Sequence, residues 1–335
     1  MNQLEDDLAL PAQDSTARCS TTRRTVPTSL PTVGTMQPWG GRGRFGAVLT
    51  AMATPFDGDG RLDVGGAVRL AQWLADQGND GLVLAGTTGE APTLSDEEKA
   101  RLWSAVAAEV DIAVLAGSGT NDTRHSVELT KKAEQAGVDG ILAVTPYYNR
   151  PSQAGLEAHF SAVAESTSLP VLIYDIPVRT GRKLAGSTIL RLAEQVPNVV
   201  GVKDAAGDVA STAALVADAP DGFEVYSGDD ALTLPLLAVG AVGVIGVATH
   251  WATPHFVRMT ELFHKGDPEG AARVNAKLIR SYRFESGDEA PNPVPVKAML
   301  AAMGLPGGRT RPPMGPQPDW LEAAALEVLE DLEGA

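Results

Sequence analysis

Eight short, continuous apolar runs punctuate the chain: Ala47–Ala53, Gly81–Ala85, Ile112–Ala116, Gly140–Thr145, Val171–Tyr174, Val199–Lys203, Phe223–Tyr226 and Val242–Ala248. Continuous rather than alternating hydrophobicity suits strands buried on both faces, as in a parallel sheet. The runs start roughly 20–35 residues apart, near the length of a βα unit. Amphipathic helical patterns fill the gaps. Leu156, Phe160, Val163 and Ala164 fall at i, i+4, i+7 and i+8, and Ile189, Leu192, Ala193 and Val196 likewise line one face. Ser95, Asp96 and Glu98 give a helix-start signature. Three segments share one form, Gly78-Asn-Asp-Gly81, Gly137-Val-Asp-Gly140 and Gly240-Ala-Val-Gly243: a helix C-cap glycine, a short loop, and a glycine opening a strand.

Eight such units in series close most economically into a (β/α)8 TIM barrel, expected over residues 45–266. A doubly wound open sheet is the alternative. It would usually carry a glycine-rich phosphate fingerprint after the first strand, and Thr54-Pro-Phe-Asp-Gly-Asp-Gly is not one. Beyond Lys265 no strand-like run remains. The stripe Leu321, Ala324, Ala325, Val328, Leu329 and Leu332 makes residues 267–335 a C-terminal helical extension. Residues 1–44 are rich in Ser, Thr and Pro and poor in large apolar side chains, so they are expected to be disordered. No apolar segment follows Arg23 and Arg24 as a secretory signal requires.

Composition narrows the function. The formal net charge is −15 with no basic run, which argues against nucleic acid as a partner. No stretch is long and apolar enough for a membrane span. The single cysteine, Cys19, can form neither an internal disulfide nor a cysteine zinc cluster, and a cytoplasmic location is expected. The five histidines offer no metal spacing; His250 and His255 are five apart with no companion carboxylate. No metal and no organic cofactor is expected.

In a barrel the chemistry belongs at the C-terminal strand ends. Lys203 closes the run Val199-Val-Gly-Val202. Burial there disfavours the ammonium, and a neutral amine can attack a ketone to form a Schiff base. On this residue alone, a lysine that snorkels to water or pairs with Asp204 is the favoured reading. Tyr174 ends the neighbouring run and can pass protons, or it is an ordinary strand tyrosine. Thr87 and Thr88 can orient a carboxylate, relay a proton, or serve as turn hydroxyls. Arg179 lies in a Pro/Gly-bounded loop, suited to clamping a carboxylate or to plain solvation.

The motifs Gly86-Thr-Thr-Gly-Glu90, Pro146-Tyr-Tyr-Asn-Arg-Pro151, Tyr174…Pro177-Val-Arg-Thr-Gly181, Gly201-Val-Lys-Asp204 and Ser227-Gly-Asp-Asp230 occur in this order. Together they resemble the 4-hydroxy-tetrahydrodipicolinate (dihydrodipicolinate) synthases of lysine and diaminopimelate biosynthesis, within the pyruvate-dependent class I aldolases that include the N-acetylneuraminate lyases. The resemblance runs from about Phe45 to Leu332.

It implies a lyase that condenses pyruvate with L-aspartate 4-semialdehyde. Lys203 would form the Schiff base, with Tyr174 as general acid/base. Thr87 and Tyr148 would complete its proton relay, Tyr148 reaching in from a neighbouring subunit of a homotetramer. Thr88, the backbone around Ile245, and Gly228 would bind substrate, and Arg179 would hold the semialdehyde carboxylate. Two departures stand out: Asp175 replaces a frequent asparagine, and Gly246 a frequent serine. A sister aldolase acting on a 2-keto sugar acid is the nearest rival, disfavoured by Arg179 and Tyr148. A non-catalytic ligand-binding barrel is the other. The resemblance also places a lysine-effector site at Ala91, Pro92, Asp96, Lys99, Asn121, His125 and Tyr147. There His125 stands where sensitive members carry a glutamate, so lysine is expected to inhibit negligibly.

Overall fold

A computed structural model describes residues 43–334. The apolar runs form eight strands: β1 Val48–Ala51, β2 Gly81–Leu84, β3 Ala113–Gly117, β4 Gly140–Val144, β5 Val171–Asp175, β6 Val199–Asp204, β7 Glu224–Ser227 and β8 Gly243–Gly246. Each pairs in parallel with its sequence neighbours, and β8 returns to β1 through Leu49↔Ile245, so the sheet closes into a barrel rather than an open doubly wound sheet. Nine helices alternate with the strands: α1 Val64–Asp76, α2 Asp96–Ala107, α3 Thr123–Gln135, α4 Gln153–Ala164, α5 Pro177–Thr180, α6 Gly186–Gln195, α7 Val209–Asp218, α8 Thr233–Ala238 and α9 Thr249–His264. Three more, α10 Pro268–Phe284, α11 Val294–Ala302 and α12 Leu321–Glu333, form the C-terminal extension.

Local chemistry accounts for these boundaries. Ser95 and Glu98 form a reciprocal capping box that starts α2. The repeated glycine before a strand is needed where the helix must end in a left-handed residue, as at Gly240 (φ 106°). The aspartate in two of the three repeats fastens the barrel floor. Asp80 accepts from the Ala47 and Val48 amides at 2.8 and 3.0 Å, and Asp139 from Val114 N at 2.8 Å. The third copy has Val242 at that place, and the Tyr226 hydroxyl supplies a tie instead by donating to Gly46 O at 3.1 Å.

The core has two layers. Inside the barrel lie Leu49, Val83, Leu115, Leu142, Leu172, Tyr226 and Ile245. The layer between strands and helices includes Leu70, Trp103, Phe160, Val244 and Phe256. Leu156, Phe160, Val163 and Ala164 are all buried, as their spacing predicts. In α12 the buried positions are Leu321, Ala325 and Val328, and Leu321 packs with Ala290, Val294 and Ala298.

The strand β8 is shorter than its apolar run. The Val247 and Ala248 amides leave the ladder and donate to Asp230 Oδ2 at 2.9 and 2.6 Å. The expected disordered segment, 1–44, lies outside the described residues except for its last two. There Gly43 bridges Gly46, and Arg44 N donates to Glu224 Oε1 at 2.6 Å. Among the described residues no helix is long and apolar enough to cross a membrane.

Candidate active site

Adjacent strand ends bring Tyr174 and Lys203 together, since they are register partners between β5 and β6. Both are buried, at 5% and 3% exposure. The Lys203 Nζ lies 4.5 Å from the centroid of the Tyr174 ring. No hydrogen bond or ion pair holds that nitrogen among the described residues, so its lone pair is uncommitted once the proton leaves. Burial lowers the Lys203 pKa to about 8. The Asp230 charge opposes the shift and Arg179 adds to it. The Lys203 stem also explains Gly228: a Cβ there would come within 3.0 Å of Lys203 Cγ and Cε.

The Tyr174 phenol is pushed up to about 12, first by burial, and the hydrogen bond from Thr87 and the Arg179 charge pull the other way. It therefore stays protonated across the ordinary pH range. Thr87 and Thr88 sit on the turn that leaves β2. Thr88 is buried, and the amide of Asn292 donates to its hydroxyl at 3.0 Å. Arg179 falls on the single helical turn α5, and its Nη2 donates to Asn292 O at 3.3 Å. Asn292 thus touches both residues expected to hold carboxylates. Its own Oδ1 is buried without a partner.

A cavity of about 460 Å³ is lined by Thr87, Tyr174, Arg179 and Asn292, and it extends to Lys99, His125 and Tyr147. Lys203, Thr88, Gly228 and Ile245 do not line it. Lys203 adjoins it through the Tyr174 ring, and Ile245 belongs to the barrel interior. Tyr148 does not join the group. It is 90% exposed with φ 73°, and it does not line the cavity that Thr87 and Tyr174 share.

The two departures have physical accounts. The Asp175 carboxylate is buried, paired with Lys183 at 2.8 Å and accepting from Leu184 N at 3.1 Å. At Gly246 a Cβ would lie 2.5 Å from Asp230 Oδ1, so the aspartate fills the space a serine side chain would need.

Comparison with known proteins decides the family. The sequence profile of the dihydrodipicolinate synthetase family matches residues 44–330. The chain belongs to this family. A 4-hydroxy-tetrahydrodipicolinate synthase of Moorella thermoacetica is 50% identical over 273 residues, covering 81% of this chain and 92% of the relative. That of Bacillus subtilis is 48% identical, covering 81% and 94%. Among solved structures, dihydrodipicolinate synthase from Cyanidioschyzon merolae with lysine bound superposes with TM-score 0.84 at 40% identity, covering 86% of this chain and 98% of that one. The chloride-inhibited enzyme of Acinetobacter baumannii complexed with pyruvate gives 0.81 at 37%, covering 86% and 98%.

Several supporting residues in this family member carry no sequence signal of their own role. Asp230 and Glu90 lie inside recognisable motifs, which flag the segment and not the function. Lys297 interrupts the apolar helix α11, and a lone cation there is the one available clue. Asn292 and Glu285 fall in a polar connection that reads as solvated loop. The Glu285 carboxyl is pushed well above the usual carboxylate range, first by burial and then by the charge of Asp230, with which it hydrogen-bonds.

Proposed function

We propose that the chain is a 4-hydroxy-tetrahydrodipicolinate synthase that condenses pyruvate with L-aspartate 4-semialdehyde through a Schiff base on Lys203. The observation that carries this reading is the unbonded, buried Lys203 nitrogen against Tyr174, in a chain of this family. With a pKa near 8, about a tenth of the amine is neutral at pH 7, against roughly one part in three thousand at the ordinary value.

The Lys203 amine adds to the pyruvate ketone. Tyr174, linked to Thr87, shuttles the protons by which the carbinolamine loses water. The resulting imine withdraws electrons from the adjacent methyl group. Loss of a methyl proton gives an enamine, whose carbon adds to the semialdehyde aldehyde. The adduct's own amine then attacks the imine carbon, closes the ring and releases Lys203. Thr88 and the backbone at Ile245 hold pyruvate, Gly228 leaves room for the lysine stem and lies at the substrate, and Arg179 takes the semialdehyde carboxylate.

A homotetramer of tight dimers fits the exposed rim. Tyr148 and Val178 are large side chains left 90% and 86% exposed, and a second copy that received Tyr148 would cover the first of them. The cytoplasm is the compartment that suits this biosynthetic step, and deleting residues 1–35 should leave activity intact.

Borohydride reduction in the presence of pyruvate tests the reading. Peptide mass spectrometry should locate one reduced pyruvate adduct on Lys203, and Lys203→Arg should abolish it because an amine that stays protonated cannot add to a ketone. An adduct on Lys183 or Lys297 defeats the assignment.

A further inference from the structure

The turn Gly86–Glu90 carries both threonines, and its backbone is unusual at each end. Ala85 (φ 52°) and Glu90 (φ 55°) are left-handed without being glycine. Such residues are strained and persist only where the surroundings hold them. At Glu90 the surroundings are the C-terminal extension. Its carboxylate is paired with Lys297 Nζ of α11 at 2.7 Å, both side chains 2% exposed. Its second oxygen accepts from Arg311 N at 2.8 Å. Lys297 also donates to Arg309 O at 3.1 Å and stands 4.0 Å over the Phe56 ring. The Arg311 guanidinium stacks on the same ring at 4.1 Å and grips Glu98 with bonds of 2.8 and 2.6 Å.

A buried ion pair is a weak source of stability, because desolvation cancels most of the attraction. Its worth here is placement. Glu90 N donates to Thr87 O at 3.1 Å, and Ala91 N to Gly86 O at 3.1 Å, so the carboxylate anchors the closing end of the threonine turn. We propose that Glu90, held by Lys297 and Arg311, is a positioning residue. By pinning the left-handed end of the turn it aims the Thr87 hydroxyl at Tyr174 and the Thr88 hydroxyl at the carboxylate of pyruvate. The C-terminal extension is thereby part of the pyruvate site without touching substrate. This inference rests on the reading of Thr88 as a pyruvate ligand.

The decisive variant is the double substitution Glu90→Gln with Lys297→Met, which removes both charges and leaves neither stranded. It should melt well above Lys297→Met alone. Its KM for pyruvate should rise about tenfold, since loosened positioning is felt at the reacting group, while the KM for aspartate semialdehyde, held by Arg179, changes by less than about twofold. Trapping of the reduced adduct at limiting pyruvate should fall in step. A double variant whose pyruvate KM recovers together with its melting temperature overturns the proposal, and so does an equal rise in both KM values. Lys297→Arg keeps the charges in altered geometry and should raise the pyruvate KM in the same direction. If the double variant fails to fold, an unchanged KM in Lys297→Arg is the overturning result. Thr88→Val separates the two layers: an unchanged pyruvate KM there removes the substrate reading itself, whereas a raised one leaves the positioning claim to stand or fall on the other variants.

Discussion

Lys203 in the barrel and Lys297 in the C-terminal extension are both buried, and in each case burial lowers the pKa to about 8. Their surroundings differ. Lys203 ends β6 with a free nitrogen beside an aromatic ring. Lys297, in α11, has a carboxylate at 2.7 Å and a carbonyl at 3.1 Å. A depressed pKa marks both, so it cannot by itself distinguish a nucleophile from a fastening. The contacts of the nitrogen do. An amine locked against a carboxylate has its charge stabilised and its lone pair occupied by a proton, whereas an amine with no partner is available for attack. The same division runs through the two regions: strand ends present reactive groups, and the extension holds them in place.

Stability is where the contrast should be largest. Lys297→Met strands the Glu90 carboxylate in the interior, an arrangement that costs about 3–5 kcal/mol. Lys203→Met removes a buried amine that has no partner and leaves no charge behind, so it should melt close to, or above, the wild type. Chemical denaturation of the two variants checks this, and equal losses would erase the distinction between the lysines.

Acid sensitivity gives the next largest effect. His250 is fully buried, accepts from Ala53 N at 2.9 Å through Nε2, and is 2.7 Å from Val247 O through Nδ1, which fixes it as the neutral ring with the proton on Nδ1. Burial lowers its pKa to about 4. Above the unfolded value of 6.5 both states are neutral and nothing is lost. As pH falls from 6.5 toward 4 the unfolded chain takes up the proton first, and stability drops by up to about 3 kcal/mol. His159, also about 4 by burial, adds a loss in the same window. Denaturation at pH 7 and pH 4.5 should show the fall, and His250→Gln should flatten it in part. A pH-independent midpoint over this range would contradict the neutral assignment.

Arg179 tests the barrel side for substrate choice. Arg179→Ala should lower kcat/KM for aspartate semialdehyde by about one to two powers of ten, the worth of a charge-assisted bond to a carboxylate, and leave trapping of the pyruvate adduct intact. Unchanged semialdehyde kinetics would favour the sugar-acid rival.

How much of this was legible follows the same line. The barrel reads from sequence because strands buried on both faces are continuous apolar runs, and each reactive group sits at the end of one. Lys203, Tyr174 and Thr87 meet as their strand ends predict. Tyr148 carries a motif, but no position within one chain explains it, since its ring is left exposed and outside the cavity lining. The extension was legible as helices and opaque as chemistry. Glu90 and Lys297 are more than two hundred residues apart, and neither spacing nor periodicity pairs them. Asn292 and Glu285 resemble any polar loop until the backbone turns them inward. Local pattern reports burial and period, whereas a long-range polar pair is fixed only by the closed fold.

The smallest expected effect concerns the far end of the cavity, where α2 and α3 meet. Among the described residues, Asp96 is the one carboxylate at this end that could replace the absent glutamate at His125 and receive the ammonium of free lysine. The folded chain spends that carboxylate elsewhere. Asp96 is bound by His125 Nε2 at 2.9 Å and by Lys132 Nζ at 3.1 Å. The contacts to His125 and Lys132 hold its carboxyl below the usual range against the opposing effect of burial. Lys99 lines the same end and is buried. An incoming ammonium therefore meets a cation and an engaged carboxylate. Losing one charge-assisted contact and gaining one like charge weakens binding by about two powers of ten. A steady-state assay with both substrates should show no change at millimolar lysine. Lys99→Ala together with His125→Glu should restore sensitivity, and half-maximal inhibition of the unmodified chain below about a millimolar would show that the engaged carboxylate is released on binding.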